Sequence, residues 1–131
     1  MELEVTRRAA DAMIAAARAA DRLEACGILL GAGLRIEKFA PAANVHPEPR
    51  HHFEIDPQAL IDAHRTAREG GPEVVGYFHS HPSGPARPSA TDCALAAADG
   101  RVWAIWGEGR LAFFRAGKGG FETLSSRMIG G

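Results

Sequence analysis

The sequence predicts an α+β (mixed α/β) fold, a single central β-sheet flanked by helices. Three observations carry this reading. Two stretches free of internal glycine and proline repeat apolar residues at helical spacing. Several short apolar runs bounded by glycine read as strands. The two kinds of segment are interspersed, with no repeat, linker or low-complexity stretch between them. A chain of 131 residues fits one domain, residues 1–131.

The elements follow in order. Thr6 to Asp21 is Ala-rich, and Val5, Ala9, Met13 and Ala16 recur at helical spacing, with Thr6 as the N-cap. Gly27 to Gly31 holds Ile28-Leu29-Leu30, which suits a buried strand. Gly31-Ala32-Gly33 turns it into a hairpin partner, Leu34 to Ala40. Pro41 to Arg50 contains three prolines and reads as loop. His52 to Ile55 reads as a short strand. Asp56-Pro57 supplies N-cap and N1 of a second helix, which runs to about Glu69 and stops at Gly70-Gly71. Glu73 to Ser80 is the expected central strand, with Val74 to Phe78 as its apolar part. Pro82 to Pro88 is a proline-rich loop, and Ser89 caps a short helix to Ala98. Arg101–Trp106, Arg110–Arg115 and Gly120–Leu124 read as three strands joined by glycine-containing turns.

Composition narrows the function. Fifteen Lys and Arg against sixteen Asp and Glu give a formal net charge of −1, so no basic field marks a nucleic-acid binder. No run approaches the roughly 20 apolar residues of a membrane span. The start, Met1-Glu2-Leu3-Glu4, lacks the pattern of a signal peptide. Cys26 and Cys93 are too few for a disulfide scaffold, so a cytoplasmic setting is the expectation.

The chemistry concentrates in His79-Ser80-His81-Pro82, followed by Ser89 and Asp92. Alternate residues of a strand share a face, so His79 and His81 can present two imidazoles side by side. The proline-rich loop lets the next helix fold back and bring the Asp92 carboxylate to the same ion. Two imidazoles and one carboxylate, with a fourth position left for water, is a pattern of catalytic zinc. Ser89 lies three residues before Asp92 and shares its face of the helix start. A metal-activated water also needs a general base, for which a carboxylate is suited. Local spacing does not choose it: Glu24, Glu54, Glu69 and Glu73 are equally available. Taken singly, each residue has a plainer reading. A His-x-His pair can be one buried and one exposed histidine, Ser89 an N-cap, and Asp92 a favourable charge in a first helical turn.

Together these residues resemble the JAMM, or MPN-plus, metalloproteases. The family signature is a His-x-His-Pro segment followed by Ser-x-x-Asp, with a separate upstream Glu. The chain matches it at His79-Ser80-His81-Pro82 and Ser89-Ala90-Thr91-Asp92. The upstream element corresponds to Glu24-Ala25-Cys26-Gly27-Ile28-Leu29-Leu30-Gly31. The resemblance covers most of the chain and implies the JAMM/MPN (cytidine-deaminase-like) fold. It also implies that His79, His81 and Asp92 bind Zn2+ with water as the fourth ligand. Glu24 would hold and deprotonate that water, and Ser89 would donate to the oxyanion. No signature residue is replaced, unlike in the family's silent scaffolds.

The resemblance further implies hydrolysis of amide or isopeptide bonds after the C-terminal glycines of a ubiquitin-like protein, whose tail can add in extended form beside a sheet edge. The short chain resembles the compact prokaryotic type, which is associated with ubiquitin-like sulfur carriers. Its own end, Gly130-Gly131, suggests entry of the tail into a neighbour's cleft, as in a homodimer; a flexible polar end is the plainer expectation. Two other classes stay open: a non-catalytic module gripping a ubiquitin-like tail, and a non-haem Fe(II) enzyme, which can also use two His and one carboxylate. A zinc deaminase is disfavoured, because no Pro-Cys-x-x-Cys segment is present.

Outside the motif, His64 is expected at the surface or in packing. His51-His52 are expected in a solvated loop, with the substrate groove as the sharper alternative. Cys26 reads as a small buried residue, Trp103 and Trp106 as core and edge packing, and Asn44 as a residue that orders the loop near the cleft.

Overall fold

Leu3 and Val5 are two apolar residues two positions apart, a strand pattern rather than a helical one. In the computed structural model, which describes residues 2–131, they lie in β1 (Leu3–Thr6) and both are fully buried. Helix α1 (Arg7–Ala20) begins only after them, capped by the Thr6 hydroxyl, which accepts the Ala9 N–H at 3.1 Å. Its buried face is Ala9, Ala10, Met13 and Ala17. Ala16 is only partly buried, and Val5 belongs to the strand, so the face is rotated from the stripe read in the sequence.

The remaining elements are β2 (Cys26–Ala32), β3 (Arg35–Ala42), α2 (Pro57–Arg68), β4 (Glu73–Ser80), α3 (Ala90–Leu95), β5 (Val102–Gly107), β6 (Arg110–Gly117), β7 (Gly120–Leu124) and β8 (Ser126–Ile129). They form one mixed sheet in the order β7-β6-β5-β4-β2-β3-β1-β8. As expected, β4 is central; it runs antiparallel to β2 and parallel to β5. The α+β architecture stands.

The helices cover opposite faces of β4. Phe78 joins the cluster under α1 that includes Met13 and Leu29. Tyr77 joins the cluster that α2 covers with Ala59, Leu60 and Ala63. A third cluster, Trp103, Ile105, Phe114 and Ala116, lies along β5 and β6. Full burial of one such side chain is worth about 1.5–3 kcal/mol. His79 and His81 follow Tyr77 at alternate positions and belong to its face, away from α1.

Two glycines allow close approaches that shape this end of the sheet. A Cβ at Gly76 would strike the Val102 carbonyl of β5. One at Gly107 would strike the backbone of Gly84 to Ala86, so only glycine lets the proline-rich loop cross the end of β5.

Four other segments differ from the sequence reading. β3 continues through Pro41, which pairs with Gly27; β1 pairs β3 only at Arg35 and Ile36, so the missing Pro41 N–H costs no ladder bond. His52–Ile55 is not a strand and contributes one bridge, Ile55 to Asn44. α3 ends at Leu95 rather than Ala98, because Ala96 turns extended and packs on the Trp103–Phe114 cluster. β8 lies parallel to β1, where Arg127 pairs with Glu4. No helix among the described residues is long and apolar enough to cross a membrane.

Candidate active site

The end of β4 carries His79 and hands the chain on to His81, whose N–H bonds the Trp106 carbonyl of β5 at 2.7 Å. His79 is completely buried. Its ring stacks on Phe53 at 4.2 Å and 15° and meets Trp103 edge-on at 5.5 Å. His81 is partly buried, with Nδ1 2.8 Å from the Pro85 carbonyl. A carbonyl cannot donate, so Nδ1 carries the proton and Nε2 turns its lone pair away from Pro85.

Three atoms converge. His79 Nε2 lies 3.1 Å from His81 Nε2 and 3.1 Å from Asp92 Oδ2, and His81 Nε2 lies 3.2 Å from the same oxygen. Hydrogen bonds do not satisfy this near-equilateral triangle. If both nitrogens donate to Asp92, two N–H groups face each other; if they do not, lone pairs do. A cation resolves all three edges at once. Zinc–nitrogen bonds of about 2.0–2.1 Å in a tetrahedron imply ligand separations of about 3.3 Å, close to the spacing seen. The donor set therefore fits a metal ion.

In the metal-free cluster the electrostatics divide the two histidines. Burial pushes His79 below the usual histidine range, towards the neutral form that binds metal. Burial also opposes the charge on His81, but its bonds with Asp92 and Pro85 outweigh this and raise it. Burial favours a neutral Asp92; the two histidines and the Ser89 N–H outweigh it and hold the carboxyl well below its ordinary range. The Nδ1 of His79 is buried without a hydrogen-bond partner among the described residues, and that ring is stacked on Phe53.

Asp92 is positioned by a capping box. The Ser89 hydroxyl accepts the Asp92 N–H at 3.0 Å, and Asp92 Oδ2 accepts the Ser89 N–H at 2.9 Å. Ser89 is thus the N-cap of α3. Capping uses a lone pair of the hydroxyl and leaves its proton free to donate.

Glu24 arrives from the other side of β4. The register that pairs Cys26 with His79 sets it beside the cluster. It is buried, and desolvation raises its carboxyl to about 7; His81 pulls the other way, while the Asp92 charge adds to the rise. Its backbone is fixed from two directions, by its own N–H to the Pro49 carbonyl at 2.7 Å and by Asn44 Nδ2 donating to its carbonyl at 3.0 Å. Beside it, Ala25 N–H bonds the Ser80 hydroxyl at 2.8 Å and the Ala25 carbonyl accepts the Ser80 N–H at 3.0 Å.

Two clefts flank the cluster. A polar one of about 410 Å³ is lined by Glu24, His81, Ser89, Arg50 and Arg87. An apolar one, also about 410 Å³, is lined by Asp92, Phe53, Ile55, Leu60, Tyr77 and Trp103. His51, exposed in the loop as expected, also lines both clefts, and His52 lines the apolar one. Cys26 is buried, as expected, with its thiol raised to about 12 by burial and by Glu24.

A profile of the prokaryotic homologs of the JAB domain matches residues 6–117. The chain belongs to this family. Among curated relatives, this prokaryotic JAB-domain protein is 36% identical over 84 residues to a desampylase of Haloferax volcanii, covering 63% of this chain and 60% of that one. It is 42% identical over 67 residues to a probable TtuB-protein conjugate cleaving protease of Thermus thermophilus, covering 50% and 45%. The matches thus span about half the length of the curated relatives. A solution structure of a protein from Desulfitobacterium hafniense superposes with a TM-score of 0.84 at 31% identity, over 98% of this chain and 94% of that one. The sheet described above is the JAB, or JAMM/MPN, fold.

Of the residues singled out in the sequence, the fold brings His79, His81 and Asp92 into one cluster and sets Glu24 and Ser89 on the adjoining cleft. Phe53 went unread. Its only sequence signal is a lone aromatic between His52 and Glu54, which says nothing about stacking on a histidine from β4.

Proposed function

We propose that this JAB-domain protein is a zinc-dependent peptidase or isopeptidase that cleaves the amide bond joining a ubiquitin-like or sulfur-carrier protein to its partner. The observation that carries the reading is the triangle of His79, His81 and Asp92 with the raised carboxyl of Glu24 on the adjoining cleft. The likeness to a desampylase of Haloferax and a probable conjugate cleaving protease of Thermus supports the substrate class.

His79, His81 and Asp92 would hold the metal. When bound, zinc supplies Lewis acidity to the scissile carbonyl and acidity to the attacking water. Glu24, buried on the adjoining cleft, takes the proton of that water and returns it to the leaving amine. Ser89 donates its free hydroxyl proton to the oxygen that gains charge as the carbonyl carbon becomes tetrahedral. A substrate tail ending in two glycines suits the site, because an extended chain without side chains reaches a half-buried centre with little steric cost.

The test is zinc per chain by elemental analysis, with cleavage of a ubiquitin-like protein fused through its Gly-Gly end to a reporter. The wild type is expected to hold one zinc and cleave. Glu24→Gln should keep the zinc and lose about 10²–10⁴-fold in turnover. Iron in place of zinc would move the reading to an oxygenase. Zinc without cleavage of any such fusion would move it to a binding module.

A further inference from the structure

Asn44 is neither a member of the metal-ligand triangle nor a lining residue of either cleft, yet its side chain fills all four of its hydrogen-bonding positions. Nδ2 donates to the carbonyls of Glu24 and His52, both at 3.0 Å. Oδ1 accepts the N–H of His46 at 3.1 Å and of Glu54 at 3.0 Å. One amide therefore joins the segment that carries Glu24 to the segment that walls the apolar cleft. Phe53 sits between the two wall residues so held, and its ring stacks on His79. The backbone repeats the tie, with Val45 N–H to the Glu54 carbonyl at 2.9 Å and a bridge from Asn44 to Ile55.

We propose that Asn44 is a positioning residue: it fixes the carrier of the base against the cleft wall, so that Glu24 and the substrate are presented to the metal in one register. This rests on the reading of Glu24 as the base. Asparagine is required because two donors and two acceptors are needed in one plane. Aspartate keeps the shape but loses both donors, leaving the Glu24 and His52 carbonyls without their side-chain partner. The metal ligands come from β4 and α3 and do not pass through this amide, so zinc binding is separable from its loss.

The test compares wild type, Asn44→Asp and Asn44→Ala as zinc-loaded proteins. The readouts are zinc content, kcat and KM on the Gly-Gly fusion, and amide hydrogen exchange. Both variants should keep the zinc. The kcat should fall by about 100-fold, as for a small misplacement of a reacting group, with KM changed far less. In Asn44→Ala, which removes the acceptor of both N–H groups, exchange at His46 and Glu54 should quicken by about tenfold, while Asn44→Asp, which keeps that acceptor, and the amides of β4 stay as protected as before. An unchanged kcat with unchanged exchange would overturn the proposal. So would a kcat loss matched by equal loss of zinc or by unfolding in both variants, since the residue would then only hold the fold. A wild type that cleaves nothing would instead sink the peptidase reading. Exchange at His46 and Glu54 in Asn44→Ala would then decide the tether alone, quickened rates keeping it and unchanged rates removing it.

Discussion

The two halves of the site are held by different kinds of structure. His79 and Asp92 are 13 positions apart, and one strand end, one loop and one helix start bring them together. The base side is assembled over much longer separations: Ala25, next to Glu24, is bonded to Ser80 across 55 positions, and Asn44 reaches Glu24 across 20. Side chains carry most of the contacts in the first half, whereas backbone groups carry most in the second. A cluster built from neighbours is visible in a motif, while a base built from distant pairings depends on the whole sheet.

The largest effect should come from breaking the local half. Asp92→Ala removes a ligand and the acid of the capping box together. Since changes to the partners of ligands alone cost about 10–100-fold in metal affinity, loss of the ligand should exceed 100-fold and abolish hydrolysis. Zinc retained at one per chain after dialysis would show that the triangle is not the ligand set.

Ser89→Ala sharpens the same half without removing a ligand. It should keep zinc and lower kcat by about 10²–10³-fold, as other donors to a developing oxyanion do. It should also cost about 1 kcal/mol of stability through the lost cap. Thermal melts beside kinetics separate the two, and an unchanged kcat would leave Ser89 a cap alone.

The smallest effect probes the other half through pH. In the metal-free protein Glu24 is raised from 4.5 to about 7, so between these values the folded chain keeps a proton that the unfolded chain releases. Stability from this residue is therefore complete below about 4.5 and is lost as pH rises through 7. Glu24→Gln should stabilise the metal-free protein by on the order of 2–3 kcal/mol at pH 8 and hardly at all at pH 4. Denaturant melts at both pH values check this, and an equal gain at the two would show that the buried carboxyl is not the cause.

Much of this was legible beforehand, for physical reasons. α1 and α2 announced themselves through Thr6 and Asp56-Pro57, because capping needs a few adjacent residues. β4 and its histidines were legible because strand alternation is local. β1 and β8 were not: each is only four residues long, and β1 pairs in parallel with β3 on one side and with β8, from the opposite end of the chain, on the other. Val5 even fitted a helical stripe, since one residue satisfies both periods. Glu24 could be picked from among the acids only through resemblance to a family, because its burial is set by Pro49, Asn44 and the β2–β4 register. Phe53 was illegible for the same reason.

The double duty of Asp92 has a consequence for how this stretch can change over time. One oxygen closes the box that starts a six-residue helix and also faces both histidines. A helix so short has little independent stability. Drift that loosens its first turn therefore also disorders the cluster, and drift that spoils the cluster frees the helix to fray. Neutral substitutions should accumulate on the outer positions of α3, such as Cys93 and Leu95, long before they are tolerated at Ser89 or Asp92.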